Sequence, residues 1–189
     1  MFQLKIIIAS TRPGRKGPAV ASWIGEIART HPAFEVTVLD LQEINLPFFD
    51  EPNHPRLHNY EHDHTRKWSE MINGADAFIF VMPEYNYGYT APLKNALDYL
   101  AMEWQYKPVG FVSYGGIAGG TRAIQLLKPV ITTLKMVPIT EAVNIPFFTK
   151  YIDDQEQFVG DEILLKGADD MLKELAKWTA ALKPMRSLV

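Results

Sequence analysis

The chain has 189 residues, 47% of them hydrophobic and 22% charged, with a formal net charge of −3 and no cysteine; its length suits one domain over residues 1–189 better than two, with a core of fair size. The missing thiols exclude disulfides, thiolate catalysis, Cys-ligated zinc and iron–sulfur clusters, and agree with a reducing cytoplasm. The mild negative charge argues against nucleic-acid or anionic-membrane partners, and no apolar run approaches the ~20 residues that span a bilayer.

Leu4–Ala9 reads as a buried strand; the N-terminal apolar run is too short for a signal peptide's core and has no cleavage site. Pro18 sits where a helix's first turn tolerates proline, and Val20, Trp23, Ile24 and Ile27 follow at helical spacing. Pro32 ends that helix before a second strand, Phe34–Leu39. Asp40–Tyr60, with Pro47, Pro52 and Pro55, reads as irregular. A helix from about Thr65 to Asn73 leads to a third strand, Ala77–Met82. Pro83–Thr90 is turn-rich, and Pro92 opens a helix with Leu93, Ala96, Leu97 and Leu100 on one face. Val109–Val112 is the fourth strand. A glycine-rich loop, Tyr114–Gly120, feeds a helix carrying Ile124, Leu127, Ile131 and Leu134, which Pro129 is expected to kink. Val137–Val143 contains Pro138 and so reads as an edge strand. The last helix presents Leu164, Ala168, Met171, Leu172, Leu175 and Leu182 as a stripe. Trp23 and Trp178 lie in helical patterns and are expected in the core.

Alternating strands and helices imply a parallel sheet with helices on both faces, whose ligand sits beyond the C-terminal strand ends. Chemistry is therefore expected after strands one, three and four. After the first come Ser10, Arg12, Arg15, Lys16 and Gly17, running into a helix: hydroxyls, cations, glycines and a helix N-terminus make an anion site. Neither G-x-x-x-x-G-K-[ST] nor G-x-G-x-x-G is present, and a solvated basic turn is the competing reading. After the third, Pro83-Glu84-Tyr85-Asn86 belongs to a loop with Tyr85, Tyr87 and Tyr89, which either wall a flat aromatic ligand or pack on neighbouring helices. After the fourth, Ser113, Tyr114, Gly115 and Gly116 begin a segment whose glycines let backbone approach a ligand closely.

With Leu93-Lys-Asn-Ala-Leu-Asp98, these three segments resemble the NAD(P)H-dependent FMN reductases of the flavodoxin-like superfamily, which includes quinone, azo and chromate reductases. The resemblance covers about residues 4–145. It implies an α/β, flavodoxin-like three-layer sandwich with a five-stranded parallel sheet of order 2-1-3-4-5. It also implies FMN as cofactor and NADPH or NADH as donor. The family's phosphate contacts fall on Ser10, Arg12 and the Arg15–Gly17 turn; its isoalloxazine contacts fall on Pro83, Glu84, Tyr85 and Asn86, with Ser113, Tyr114, Gly115 and Gly116 closing the other side. Many members have serine and asparagine where this chain has Arg15 and Gly17, so here the phosphate would meet more charge and fewer hydroxyls. Backbone N–H groups of the 83–86 loop are expected to orient the ring, and no catalytic acid is identified.

His54, His58, His62 and His64 read as a solvated polar loop rather than a metal site. The helix after Pro92 is followed by more aromatic and apolar surface than one face can bury, Tyr99, Met102, Trp104 and Tyr106, which predicts a homodimer or homotetramer. The expected activity is electron transfer from NAD(P)H through flavin to a small-molecule acceptor. A flavodoxin-like electron carrier with a protein partner and a non-catalytic flavin- or phosphate-sensing module are the competing readings.

Overall fold

The computed structural model describes residues 1–188. In chain order the elements are β1 (Phe2–Ile8), α1 (Gly17–Thr30), β2 (Phe34–Asp40), α2 (Leu41–Ile44), α3 (Asp63–Asn73), β3 (Ala77–Pro83), α4 (Ala91–Asp98), β4 (Pro108–Gly115), α5 (Thr121–Thr133), β5 (Val137–Pro146) and α6 (Glu162–Leu182). The strands pair in the order β2-β1-β3-β4-β5, every pair parallel, as the flavodoxin-like expectation requires.

Side chains alternate across each strand, and both faces are covered, which is why the central strands are continuously apolar. Leu4, Ile6 and Ile8 of β1 join Ile79, Val81 and Val112 beneath α1 and α6. Ile7 joins Phe78, Phe80 and Phe111 beneath α3, α4 and α5. Pro138 is tolerated because β5 pairs only with β4, where the register slips between Val109 and Phe111. The strand then runs on to Pro146, beyond its predicted end. β4 is also longer than expected: Ser113 and Tyr114 interrupt its apolar pattern yet stay paired with β3 and β5.

Several expectations are corrected. The 40–60 stretch contains the short helix α2, started by the Asp40 carboxylate accepting from the Gln42 amide at 2.9 Å. Trp178 is 40% exposed, because it falls at the edge of the α6 stripe and Thr179 takes the inward place. Tyr99 and Trp104 are buried within the chain and need no partner to cover them. The 45–60 segment returns along α4, where Tyr99 donates to Asp50 Oδ1 at 2.9 Å, while Trp104 packs on Trp68 and Phe78. Of that group Met102 is 45% exposed.

The histidines serve this same segment. His54 accepts from the Arg56 amide, His58 lies against the buried Glu103 carboxylate at 3.2 Å, and His64 meets Asp50 at 2.9 Å. Among the described residues no group of three or more His, Cys, Asp or Glu is arranged to hold a metal, and no helix is long and apolar enough to cross a membrane.

At the N-terminal edge of the sheet, charges are matched. Asp76 accepts from the Gln3 amide, Lys183 Nζ at 2.9 Å and Arg186 Nη1 at 2.8 Å. Burial works to raise the Asp76 carboxyl, yet Lys183, the Gln3 amide and Arg186 hold it below its ordinary value. Lys107, 3% exposed, donates to Ile72 O at 2.7 Å and Asn73 O at 3.1 Å at the end of α3. Burial, with Arg186 nearby, pushes its ammonium down to about 7, against the pull of Asp76 and Glu103.

Candidate functional site

The loops after β1, β3, β4 and β5 converge on a cleft of about 400 Å³ at the opposite edge. Arg12, Arg15, Lys16, Pro83, Glu84, Tyr85, Tyr114, Gly115 and Gly116 line it, with Phe147, Phe148 and Thr149. A larger recess, about 1020 Å³, lies between the 49–56 segment and the C-terminal ends of α4 and α5, remote from these loops.

The loop after β1 turns at Gly14 (φ 71°) and enters α1 with no side-chain cap, no acid in the first turn, and Pro18 just inside. Its first-turn amides therefore remain open to an anion. The three cations differ. Arg15 is held by both Asp40 oxygens at 2.6 Å and donates to Ser10 O at 2.7 Å, so its charge is already neutralised. Lys16 pairs with Glu156 at 2.6 Å. Arg12 alone has no carboxylate partner among the described residues, and its guanidinium lies 5.8 Å from the Tyr85 ring centroid. Gly17 is required sterically: a Cβ there would stand 2.3 Å from Ser10 Oγ and 3.0 Å from the Tyr114 hydroxyl.

After β3 the chain makes a two-residue hairpin turn. Tyr85 and Gly88 exchange N–H···O bonds of 3.0 and 2.9 Å around Asn86 and Tyr87, both at positive φ (48° and 72°). This is the type I′ pattern, strained for tyrosine. It changes the expected role of the loop amides. Pro83 has none, Glu84 N–H donates to Tyr114 O at 3.0 Å, and Tyr85 N–H is committed to Gly88, which leaves Asn86. Tyr89 packs into the core, whereas Tyr85 and Tyr87 are 37% and 63% exposed. The Glu84 carboxylate receives Arg122 Nε at 2.6 Å on one oxygen, and the other is buried without a donor. Arg122 lies 3.8 Å from the Tyr87 ring centroid, and its bond to Glu84 raises its already high pKa.

Tyr114 floors the cleft. Burial pushes its phenol up to about 12, so it stays protonated and donates to Ser10 Oγ at 3.3 Å. Ser10, Gly17, Asn86 and Ser113 do not reach the cleft wall. Ser10 and Ser113 are fully enclosed, and Ser113 Oγ bonds Gly119 O at 2.7 Å and Asn144 Oδ1 at 2.9 Å. Ser113 thus anchors the glycine turn instead of facing a ligand. Gly120 (φ 86°) completes that turn, where a Cβ would lie 2.6 Å from Ser113 Cβ.

The sequence reading missed Phe147, Phe148 and Thr149, although the rule that ligands sit past C-terminal strand ends applies to β5 as well. It also missed Asp40 and Arg122, whose partners are 25 and 38 residues away in the chain.

Residues 3–150 match the family described as NADPH-dependent FMN reductase. The chain is 43% identical over 148 residues to an NAD(P)H-dependent FMN reductase of Schizosaccharomyces pombe, covering 76% of this chain and 74% of that protein. It is 36% identical over 99 residues to an NAD(P)H:quinone oxidoreductase of Solanum tuberosum, about half of each chain. Its fold is similar to that of FerB, a flavoenzyme NAD(P)H:(acceptor) oxidoreductase from Paracoccus denitrificans, with a TM-score of 0.73, 20% identity, and coverage of 96% of this chain and 99% of that one. Four loops converging on a cleft beside an uncapped helix, together with this match, identify the chain as a member of the NADPH-dependent FMN reductase family.

Proposed function

We propose that the cleft binds FMN and that the protein moves electrons from NAD(P)H to small acceptors such as free flavin or quinones. The observation that carries this reading is the unpartnered cation beside unpartnered helix amides: Arg12 and the start of α1 present positive potential with no carboxylate among the described residues to neutralise it. The surroundings fit a flat, polar-edged group as well. Gly115 and Gly116 expose backbone on one wall, and Tyr85 offers a ring on another.

In this reading Arg12, the open amides after β1 and the start of α1 hold the phosphate. Ser10 and Ser113 shape the loops without touching it, and Gly17 offers only its amide, its missing side chain leaving room for Ser10 and Tyr114. Tyr85 and the 115–116 backbone bracket the ring, and Arg15 fixes the phosphate loop through Asp40. The chemistry such a group supplies is hydride acceptance from a reduced nicotinamide followed by electron delivery to a second substrate. Spectra of purified protein, then titration with FMN and riboflavin by fluorescence quenching, test the assignment. FMN is expected to bind more tightly, and equal affinity for the two would remove the phosphate site. Initial rates at several acceptor concentrations should give parallel lines, since donor and acceptor use one exposed face in turn. An electron carrier, by contrast, would turn over NAD(P)H poorly.

We also infer a homodimer or homotetramer. Support comes from the flank of α4, where Phe48 (88% exposed), Phe49 (41%) and Met102 (45%) border two recesses. Light scattering at micromolar concentration with FMN present decides it, and a mass near 21.5 kDa would refute the assembly.

A further inference from the structure

We propose that Phe147 and Lys150, on the lip beyond β5, form the docking point for the phosphate-bearing nucleotide part of the reduced nicotinamide donor. The inference rests on the flavin reading of the cleft.

The lip belongs to the same cleft as the phosphate loop. Phe148 packs inward on the Tyr114 ring (centroids 5.0 Å apart), and the Tyr114 hydroxyl reaches Ser10 at the base of the loop after β1. Phe147 turns the other way. It adopts φ 48°, unfavourable for a residue with a Cβ, and is pinned there by its N–H donating to Gly116 O at 3.1 Å and its carbonyl accepting from the Lys150 amide at 3.0 Å. The result is an aromatic ring, 47% exposed, at the cleft's edge. Burial of that side chain does not explain the strained backbone; presentation of the ring to a ligand does.

Charge points to what arrives. Around the cleft, Arg15, Lys16 and Arg122 are each paired with a carboxylate. Lys150 is not: among the described residues its ammonium has the Phe147 ring, 5.0 Å from the centroid, and no carboxylate. Asp153, the nearest acid along the chain, accepts the Gln155 and Gln157 amides on Oδ1 and makes no ion pair with Lys150. An aromatic face beside an uncompensated ammonium suits a planar base joined to a phosphate, the base stacking on the ring and the phosphate meeting the ammonium. Arg12 lies with the loop before α1 and serves the cofactor's phosphate in the proposed reading. Lys150 is thus left for a second anionic molecule, and the reduced dinucleotide, with its pyrophosphate and in NADPH a further phosphate, carries more negative charge than a flavin or quinone acceptor. No dinucleotide fingerprint occurs elsewhere in the chain to hold it.

The test uses FMN-loaded protein and the variants Lys150→Met and Phe147→Gly, glycine being chosen because it keeps the left-handed backbone without strain. Calorimetry with NADP⁺ and NAD⁺ gives dissociation constants, steady-state kinetics give KM and kcat for NADPH and NADH, and FMN affinity is measured alongside. Lys150→Met should weaken dinucleotide binding about tenfold, as loss of one charge-assisted contact does, and raise KM with little change in kcat or FMN affinity. A loss confined to NADP(H) assigns the ammonium to the 2′-phosphate; an equal loss for both donors assigns it to the pyrophosphate. Phe147→Gly should weaken both donors alike. Unchanged dinucleotide constants in both variants, with FMN bound normally, would overturn the inference alone. Failure of the unaltered protein to bind FMN would overturn the flavin reading and this inference with it.

Discussion

At the N-terminal edge of the sheet Asp76 is met by Lys183, Arg186 and the Gln3 amide, and Lys107 by two carbonyls. At the C-terminal edge, among the described residues, Arg12 meets no carboxylate, α1 starts without a cap, one Glu84 oxygen has no donor, and Tyr87 and Phe147 hold left-handed backbone. The same strands connect both edges. One edge satisfies its polar groups within the chain; the other leaves several open for something outside. Substitutions of paired groups at the first edge should therefore change stability and leave ligand affinity alone, substitutions of open polar groups at the second should do the reverse, and relief of left-handed backbone there should act on stability.

The largest expected effect is a pH dependence at the closed edge. An unfolded-chain lysine keeps its proton to about pH 10.4, whereas folded Lys107 releases it near 7. Between these values the unfolded state binds more protons, so stability rises with pH, by at most about 1.4 kcal/mol per unit for this group. Near pH 10 the trend ends, because Tyr60, Tyr99 and Tyr114 are held protonated in the fold and ionise more readily once it opens. Urea melts at pH 7, 8 and 9 should show midpoints that climb, and Lys107→Met should flatten the series. Next comes Asp76→Asn, which leaves Lys183 and Arg186 facing an amide; about 3 kcal/mol of stability should be lost, with FMN affinity of the folded protein unchanged. A matching loss of affinity in that variant would break the contrast.

At the open edge Arg12→Ala should weaken FMN roughly ten- to a hundredfold, or about 1.5–3 kcal/mol, while leaving the ligand-free melting temperature in place. Riboflavin, which has no phosphate, should bind the variant and the unaltered protein alike. The smallest effect should come from Tyr87→Gly. Glycine accepts φ 72° without strain, so stability should increase by about 0.5–1 kcal/mol after loss of the ring's contact with Arg122 is counted. A destabilised variant would show that this contact outweighs the backbone strain.

The strands and long helices were readable because burial on both faces enforces apolar runs such as Ala77–Met82, and because Pro18 and Pro92 mark helix starts. The three loops were readable because a parallel sheet places its C-terminal strand ends together. Pairings across the chain were not. Nothing local announces that Asp40 will occupy Arg15, that Ser113 will turn inward to Gly119, or that the 45–60 segment will fold back over Tyr99. Counting apolar residues on α4 therefore overestimated its uncovered surface. Phe147 escaped for another reason: its exposure depends on a left-handed turn at a residue type that seldom adopts one.

The clamp between Arg15 and Asp40 has a consequence for how quickly and at what entropic cost an anion is received. It ties the loop after β1 to the end of β2 through two 2.6 Å contacts, with a third to Ser10 O inside the loop. A loop already confined in this way surrenders few conformations when a phosphate arrives, so the affinity its amides offer is not consumed in ordering them. Backbone NMR order parameters of this loop should therefore be high before any ligand is added, and rise only modestly afterwards. Arg15 acts as a rivet, its own charge cancelled so that the neighbouring amides stand ready.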